Sequence, residues 1–228
     1  MPILLVFLSI IVVAVVMNWI QELTKKRRIQ ALKAQAEELG FTFSNEGNPN
    51  ILSGLEKLLL FAQGKPTVVK NVMRAQIEDF DVTLFEYGFA TPWGRYIRTW
   101  PQTIALFRSD RLVLPEFTLC PTDILDVVLL NILSRERREA VLGTAGIRIA
   151  AHLDFSERYR LMGSDRTAIE ALFGGAVMAH YARVAPVCTE STGQELIYYR
   201  MHKQLPAKAI KALLNEGLAL IRLLVESQ

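Results

Sequence analysis

VVKNVMRAQIEDFDVTLFEYGF, residues 68–89, contains two runs of β-forming residues on either side of a short acidic turn at Glu78 and Asp79. In the second run, alternate residues are assigned to opposite faces: Thr83, Phe85, Tyr87 and Phe89 to one, Val82, Leu84 and Glu86 to the other. This alternation is typical of a strand, and the tight turn between two such runs predicts a β-hairpin.

Further strands and helices are predicted on both sides of this hairpin. A strand is expected at Tyr96–Arg108, where Pro101 requires an edge position or a bulge because it donates no ladder hydrogen bond. Short connections favour an antiparallel meander. Shorter strands are expected at Phe41–Ser44, Leu112–Leu114, Phe117–Cys120, Tyr159–Met162, Val184–Thr189 and Glu195–Arg200. Helices are expected at Ile51–Phe61, 121–132, 165–173 and from Pro206, with Asp165 as the N-cap of the third. We therefore predict an α+β fold, an antiparallel β-sheet with packed helices, over residues 41–228.

An uncharged apolar run occupies Ile3–Ile20. As a helix it would be about 27 Å long, close to the hydrocarbon thickness of a bilayer, and Trp19 is a typical interfacial residue. We predict one N-terminal transmembrane helix over residues 1–22. A cleaved signal peptide is the alternative, but Met1-Pro2 is not basic and no small-residue cleavage pattern follows.

A basic cluster follows this run: Lys25, Lys26, Arg27 and Arg28. Together with Trp19 these residues are the predicted membrane interface, and the positive-inside rule puts the C-terminal domain in the cytoplasm. Residues 23–40 are predicted to form a basic amphipathic stalk helix that ends at Gly40. Its apolar stripe is expected to pack on the domain, a coiled-coil dimer being the alternative; the stripe is Ile29, Leu32, Ala36 and Leu39.

Composition and motifs exclude several function classes. The chain of 228 residues has a formal net charge of only +3, which argues against nucleic-acid binding. No cofactor or metal is predicted: no P-loop or G-x-S-x-G motif is present, and no histidine pair has the spacing of a helical zinc site. His152 and Asp154 are a weak exception, better explained by a surface hydrogen bond. Cys120 and Cys188 are expected to be buried thiols, although a disulfide remains open.

A candidate interaction loop follows the second strand of the predicted hairpin and extends into the strand predicted at Tyr96–Arg108. It combines Trp93, Arg95, Tyr96, Arg98 and Trp100. Aromatic residues and arginine are enriched in binding hot spots, and Trp and Tyr also favour the membrane interface. A partner protein or the bilayer is therefore the expected contact. The structural alternative is a hairpin end whose aromatic residues cover the sheet edge, with Arg98 stacked on them.

The order of several segments resembles an uncharacterised family of bacterial proteins that are usually described only as hypothetical membrane proteins. The segments are GFTFS (40–44), VTLFEYGF (82–89), QTIALFRS (102–109), LPEFTLCP (114–121), FSERYRLMGSD (155–165), IEALF (169–173) and LIYYR (196–200). The resemblance covers nearly the whole chain. It implies a bacterial source and an anchored domain, hence a single-pass protein of the inner membrane, and it assigns no site residues.

The leading functional hypothesis is a membrane-tethered protein-interaction module with a membrane or cytoplasmic protein partner. A tether raises the local concentration of a domain near such partners. An enzyme with an unrecognised active site and a lipid- or small-ligand-binding domain are the alternatives. A pocket rich in ionisable groups with shifted pKa values would favour the enzyme, and a large apolar cavity would favour the ligand-binding domain.

Overall fold

The computed structural model describes residues 2–63, 65–93, 96–123, 146–149 and 153–227. The helices are α1 (Pro2–Leu39), α2 (Leu153–Arg158), α3 (Arg166–Leu172), α4 (Gly175–Arg183) and α5 (Ile210–Glu226), with short 3₁₀ turns at Pro49–Leu52 and Ala207–Ala209. The strands are β1 (Thr42–Glu46), β2 (Lys65–Ile77), β3 (Phe80–Trp93), β4 (Tyr96–Arg108), β5 (Leu114–Pro121), β6 (Tyr159–Gly163), β7 (Cys188–Gly193) and β8 (Glu195–Tyr199).

These strands form one antiparallel sheet in the order β1-β2-β3-β4-β8-β7-β5-β6. The α+β prediction is therefore confirmed. The predicted hairpin is β2–β3, which closes through the pair Ile77 and Phe80. A simple meander holds only for β1 to β4, because β8 pairs with β4 and β7 separates β8 from β5. The β7–β8 hairpin thus joins the two halves of the sheet.

The two faces of the sheet carry separate hydrophobic cores. Helices α1, α3, α4 and α5 contribute to the first core, which contains Val82 and Leu84 of β3. The second core contains Phe85, Tyr87 and Phe89 of the same strand. The alternation within 82–89 is thereby confirmed. Both faces of β3 are buried, as expected for a central strand.

α1 extends without interruption from Pro2 to Leu39 and ends at Gly40, whose φ of 74° suits glycine. Its C-terminal part is integral to the domain: Leu32 and Ala36 are buried in the first core, as the stripe predicted. Among the residues that the structure describes, no helix is long and apolar enough to cross a membrane. The predicted span over 1–22 is therefore not supported.

The helix predicted at Ile51–Phe61 is wrong. After the 3₁₀ turn the chain continues in short turns, such as the Leu58 N–H donating to Leu55 O at 3.0 Å. Gly54 has a φ of 87°, which interrupts a right-handed helix. The apolar residues here do not form one helical stripe, because the four consecutive residues 58–61 are all buried in the second core. The buried residues of this stretch are Ile51, Leu55, Leu58, Leu59, Leu60 and Phe61. We call residues 49–63 the cover segment.

Most other predicted elements fall close to those observed. The strands predicted at Leu112–Leu114 and Val184–Thr189 are mostly wrong, because β5 begins only at Leu114 and β7 only at Cys188. Asp165 caps α3, accepting a hydrogen bond from the Ala168 N–H at 3.0 Å. Pro101 pairs with Gly88 of β3 but precedes the first β8 pair at Ile104. The Thr103 N–H donates to Lys203 O, away from β3, so the Pro101 nitrogen two residues earlier also faces away from β3, on the side where no described strand pairs. Most of the helix predicted at 121–132 lies outside the described residues.

Candidate membrane and partner interface

The N-terminal part of α1 exposes a continuous apolar surface. From Ile10 to Trp19 its large apolar side chains are about half or more exposed, including Val15 at 62% and Trp19 at 64%. A contiguous apolar surface of this kind marks an interaction site for a membrane or another protein.

The basic cluster divides into two groups. Lys25, Lys26 and Arg27 are exposed just beyond the apolar surface, and Lys25 pairs with Glu22 at 2.6 Å. Arg28 is part-buried and faces the sheet instead: its Nε donates to Glu86 Oε1 at 2.7 Å. The structure thus separates Arg28 from the other three residues of the basic cluster.

Glu86 is the buried acceptor that ties α1 to the sheet. It is 3% exposed. Its second carboxylate oxygen accepts from Asn71 Nδ2 at 2.9 Å and from Gln204 Nε2 at 2.8 Å. Arg28 also donates from Nη2 to the Leu205 carbonyl at 2.7 Å. A buried charge supplied with several donors and an ion-pair partner holds one geometry, so α1 has a fixed orientation relative to β3.

The apolar part of α1 and the β3–β4 hairpin extend past the same end of the sheet. Arg28 of α1 contacts Glu86 of β3. The C-terminal end of α1 leads directly into β1, where Thr42 pairs with Arg74 of β2, and Arg74 in turn pairs with Thr83 of β3. Towards its N-terminus α1 therefore runs from the level of Thr83 to that of Glu86, in the direction of the hairpin tip.

Residue rises give comparable lengths for the two projections. At about 1.5 Å per helical residue, Trp19 lies about 14 Å beyond Arg28. At about 3.3 Å per strand residue, Thr91 and its partner Arg98 lie about 17 Å beyond Glu86. Measured along the two elements, Trp19 and Arg98 therefore lie at similar lengths from the Arg28–Glu86 pair.

The tip of this hairpin is exposed and apolar. Tyr96 and Ile97 are each 78% exposed. Trp93 pairs with Tyr96, the last described pair of this hairpin. Arg95 lies outside the described residues, and so does the side chain of Trp93. Beyond Ala90 the hairpin has no described β2 pair, which leaves it as a two-stranded ribbon, an arrangement that is marginal alone in water.

Trp100 fixes the base of the ribbon. Its Nε1 donates to Thr91 Oγ1 at 2.9 Å, and the Arg98 guanidinium lies 4.0 Å from its ring centroid. The His202 ring packs against the Trp100 ring, with 4.2 Å between the two ring centroids. Burial and the charge of Arg98 lower the pKa of His202 to about 4. The expected stacking of Arg98 on an aromatic residue is present, but Trp100 is buried while Tyr96 is exposed.

A buried carboxylate lies under the cover segment. Glu190 of β7 accepts from Tyr199 Oη at 2.6 Å and from the Leu60 N–H at 3.1 Å. Burial raises the pKa of Glu190 to about 7, and these hydrogen bonds oppose the shift. Cys120 and Cys188 are buried free thiols on the same face. Burial and the neighbouring Cys188 raise the pKa of Cys120.

A cleft of about 350 Å³ opens at the opposite end of the sheet from the hairpin tip. Its lining is polar: Gln76, Asp79, Asp81, Arg108, Ser109, Asp110, Gln194 and Glu195. Arg108 donates to Glu195 and, from Nη2, to Ile51 O at 3.1 Å, so this arginine is engaged in structure. The buried Glu190 is not among the lining residues.

Metal ligation has no support in the part of the chain that the structure describes, where no group of three or more His, Cys, Asp or Glu residues could hold an ion. His152 lies outside that part. Sequence reasoning did not identify the Arg28–Glu86 pair or Glu190. A charge on an otherwise apolar strand face was the available signal for Glu86.

The comparisons with known proteins give a fold likeness. No family model matches the chain, and no curated protein matches it. The fold is similar to that of the crystal structure of the mycobacterial trehalose monomycolate transport factor A, TtfA, with a TM-score of 0.56 and 12% sequence identity. The match covers 88% of this chain and 93% of that one. At this identity the likeness shows the α+β architecture that the two chains share.

Proposed function

We propose that this protein is a membrane-tethered interaction domain, held on the bilayer by the apolar N-terminal part of α1. The exposed apolar surface from Ile10 to Ile20 carries this proposal. It continues directly into a helix that is packed in the domain core, so attachment of the first part would hold the whole domain at the membrane. The exposed Lys25, Lys26 and Arg27 stand where anionic headgroups would meet them.

We further propose a lipid-related role at that membrane. The fold likeness to a trehalose monomycolate transport factor supports this choice over the enzyme alternative. The polar cleft is the other candidate site, but its Arg108 is engaged with Glu195 and the cover segment. The family resemblance of the segment order supports a bacterial inner-membrane location with the domain in the cytoplasm.

Charged substitutions in the exposed apolar surface test the attachment. Val12→Lys with Val16→Lys should move the protein from the membrane pellet to the supernatant, because each charge opposes burial in hydrocarbon. Both valines are exposed, so the melting temperature should not change. Ala31→Lys with Ala34→Lys is the matched control, since both alanines are exposed on the same helix. Equal membrane retention of the two double variants would contradict the proposal.

Cross-linking in native membranes then tests the interaction role. Proteins and lipids captured with the unmodified chain should be absent when Val12 and Val16 are lysine, at equal expression. Capture of the same components by both chains would contradict a requirement for the apolar part of α1 in these interactions.

A further inference from the structure

We propose that the tip of the β3–β4 hairpin is a second membrane contact, immersed in the interface of an anionic bilayer beside α1. This inference rests on the proposed function and specifies how the tethered domain lies on its membrane. The occupant of the exposed tip is the bilayer surface, because the tip extends from the sheet in the same direction as the apolar part of α1.

The residues of the two projections match by depth. Measured along the elements from the Arg28–Glu86 pair, Arg98 lies at about the length of Trp19, and Ile97 and Tyr96 lie about 3 Å and about 7 Å farther out, one and two strand residues beyond. A cation at headgroup level with Tyr and Ile just below it is the pattern of an interfacial element, which buries its apolar side about 5–10 Å deep.

The base of the hairpin tip is fixed by contacts of Trp100. Trp100 bonds to Thr91 and stacks with Arg98, so the ribbon leaves the domain in a defined direction. Its two strands remain paired up to Trp93 and Tyr96. Contact with a bilayer would support a ribbon that has no β2 pair beyond Ala90 among the described residues.

The charges of the molecule follow the same axis. At the hairpin end, exposed basic residues come from three separate segments, against the exposed Glu22, which pairs with Lys25: they are Lys25, Lys26, Arg27, Arg98 and Lys203. At the cleft end, acidic residues predominate: Glu78, Asp79, Asp81, Asp110 and Glu195, against Arg108, Arg111 and Arg222. An anionic surface attracts the first end and repels the second, which favours the orientation that puts the hairpin tip on the membrane.

Lipid quenching of a site-specific label tests this contact in the full-length protein. Ile97→Cys carries an environment-sensitive fluorophore, while the buried native thiols are protected from labelling. The labelled protein is reconstituted in vesicles of phosphatidylcholine and phosphatidylglycerol with brominated acyl chains. We expect a blue shift and loss of most of the emission, and a smaller loss when phosphatidylglycerol is omitted.

Two further label positions give the controls. Val113→Cys is the matched control, since Val113 is 77% exposed and lies beyond the cleft end of β4; its label should not be quenched. Val12→Cys reports on α1. Quenching at residue 12 without quenching at residue 97 would overturn the hairpin contact and leave the tether intact. Absence of quenching at both would overturn both proposals. Equal quenching with and without phosphatidylglycerol would overturn the anionic specificity.

Discussion

Glu190 shows how one buried side chain links the cover segment to the sheet. It is fully buried, and its carboxylate receives the Tyr199 hydroxyl and the Leu60 N–H. These donors satisfy the acceptor, but burial still favours the protonated form. The cover segment has little regular structure, so this contact is one of its few specific polar ties to β7.

Replacement of Glu190 by Gln should change the pH dependence of stability. The pKa is raised from 4.5 to about 7 in the folded protein, so the stability that protonation gives is full below pH 4.5 and falls as the pH rises to about 7. The loss amounts to about 3 kcal/mol. Glu190→Gln should remove this contribution and equal or exceed the unmodified chain in stability at pH 8.

Urea unfolding at several pH values between 4 and 8 measures this difference. Glu56→Gln is the matched control, because Glu56 is exposed in the same cover segment. If the difference between the Glu190→Gln and unmodified chains is the same at pH 5 and pH 8, the carboxyl does not titrate as described.

At the scale of elements, α1 has two different environments along one continuous helix. Its C-terminal part buries Leu32 and Ala36 and pairs Arg28 with Glu86. Its N-terminal part exposes apolar residues from Ile10 onward. The Arg28–Glu86 pair lies close to the boundary between the two, and it therefore determines the direction in which the apolar part leaves the domain.

Removal of the arginine should destabilise this junction. Arg28→Ala leaves Glu86 buried, with only neutral donors and Lys70 at 4.0 Å around it. We expect a loss of about 2 kcal/mol in the free energy of unfolding. The loss is smaller than for a fully buried pair because the Arg28 side chain is 25% exposed. Arg27→Ala, at an exposed neighbouring position, should have little effect. Chemical denaturation measures both, and similar losses in the two variants would contradict a specific role for the pair.

At the scale of the whole molecule, the sheet has a hairpin end and a cleft end, and the domain extends into α1. The predicted boundary at residue 41 separates a stalk from the domain, but the first core includes side chains from the C-terminal part of α1. The unit that should fold therefore begins before Arg28.

Two truncations test this boundary. A chain without residues 1–20 should keep its melting temperature, since the described side chains from Ile10 to Ile20 are exposed. A chain without residues 1–39 should unfold at a clearly lower temperature or fail to fold, because it lacks Leu32, Ala36 and Arg28. Thermal unfolding followed by circular dichroism gives both values. Equal melting temperatures for the two truncated chains would support a domain boundary at residue 41.

The sequence by itself determined the elements whose signals are local. Alternation within 68–89, the cap at Asp165 and the glycine after α1 each depend on neighbours along the chain, and each was predicted correctly. The tertiary structure decided what depends on distant residues. Pairing of β5 with β7, the irregular cover segment and the burial of Arg28 follow from contacts that no sequence period records. The candidate interface depends on both. Its residue types were visible in the sequence, but only the sheet register and the Arg28–Glu86 pair show that the hairpin tip and the apolar part of α1 extend in the same direction.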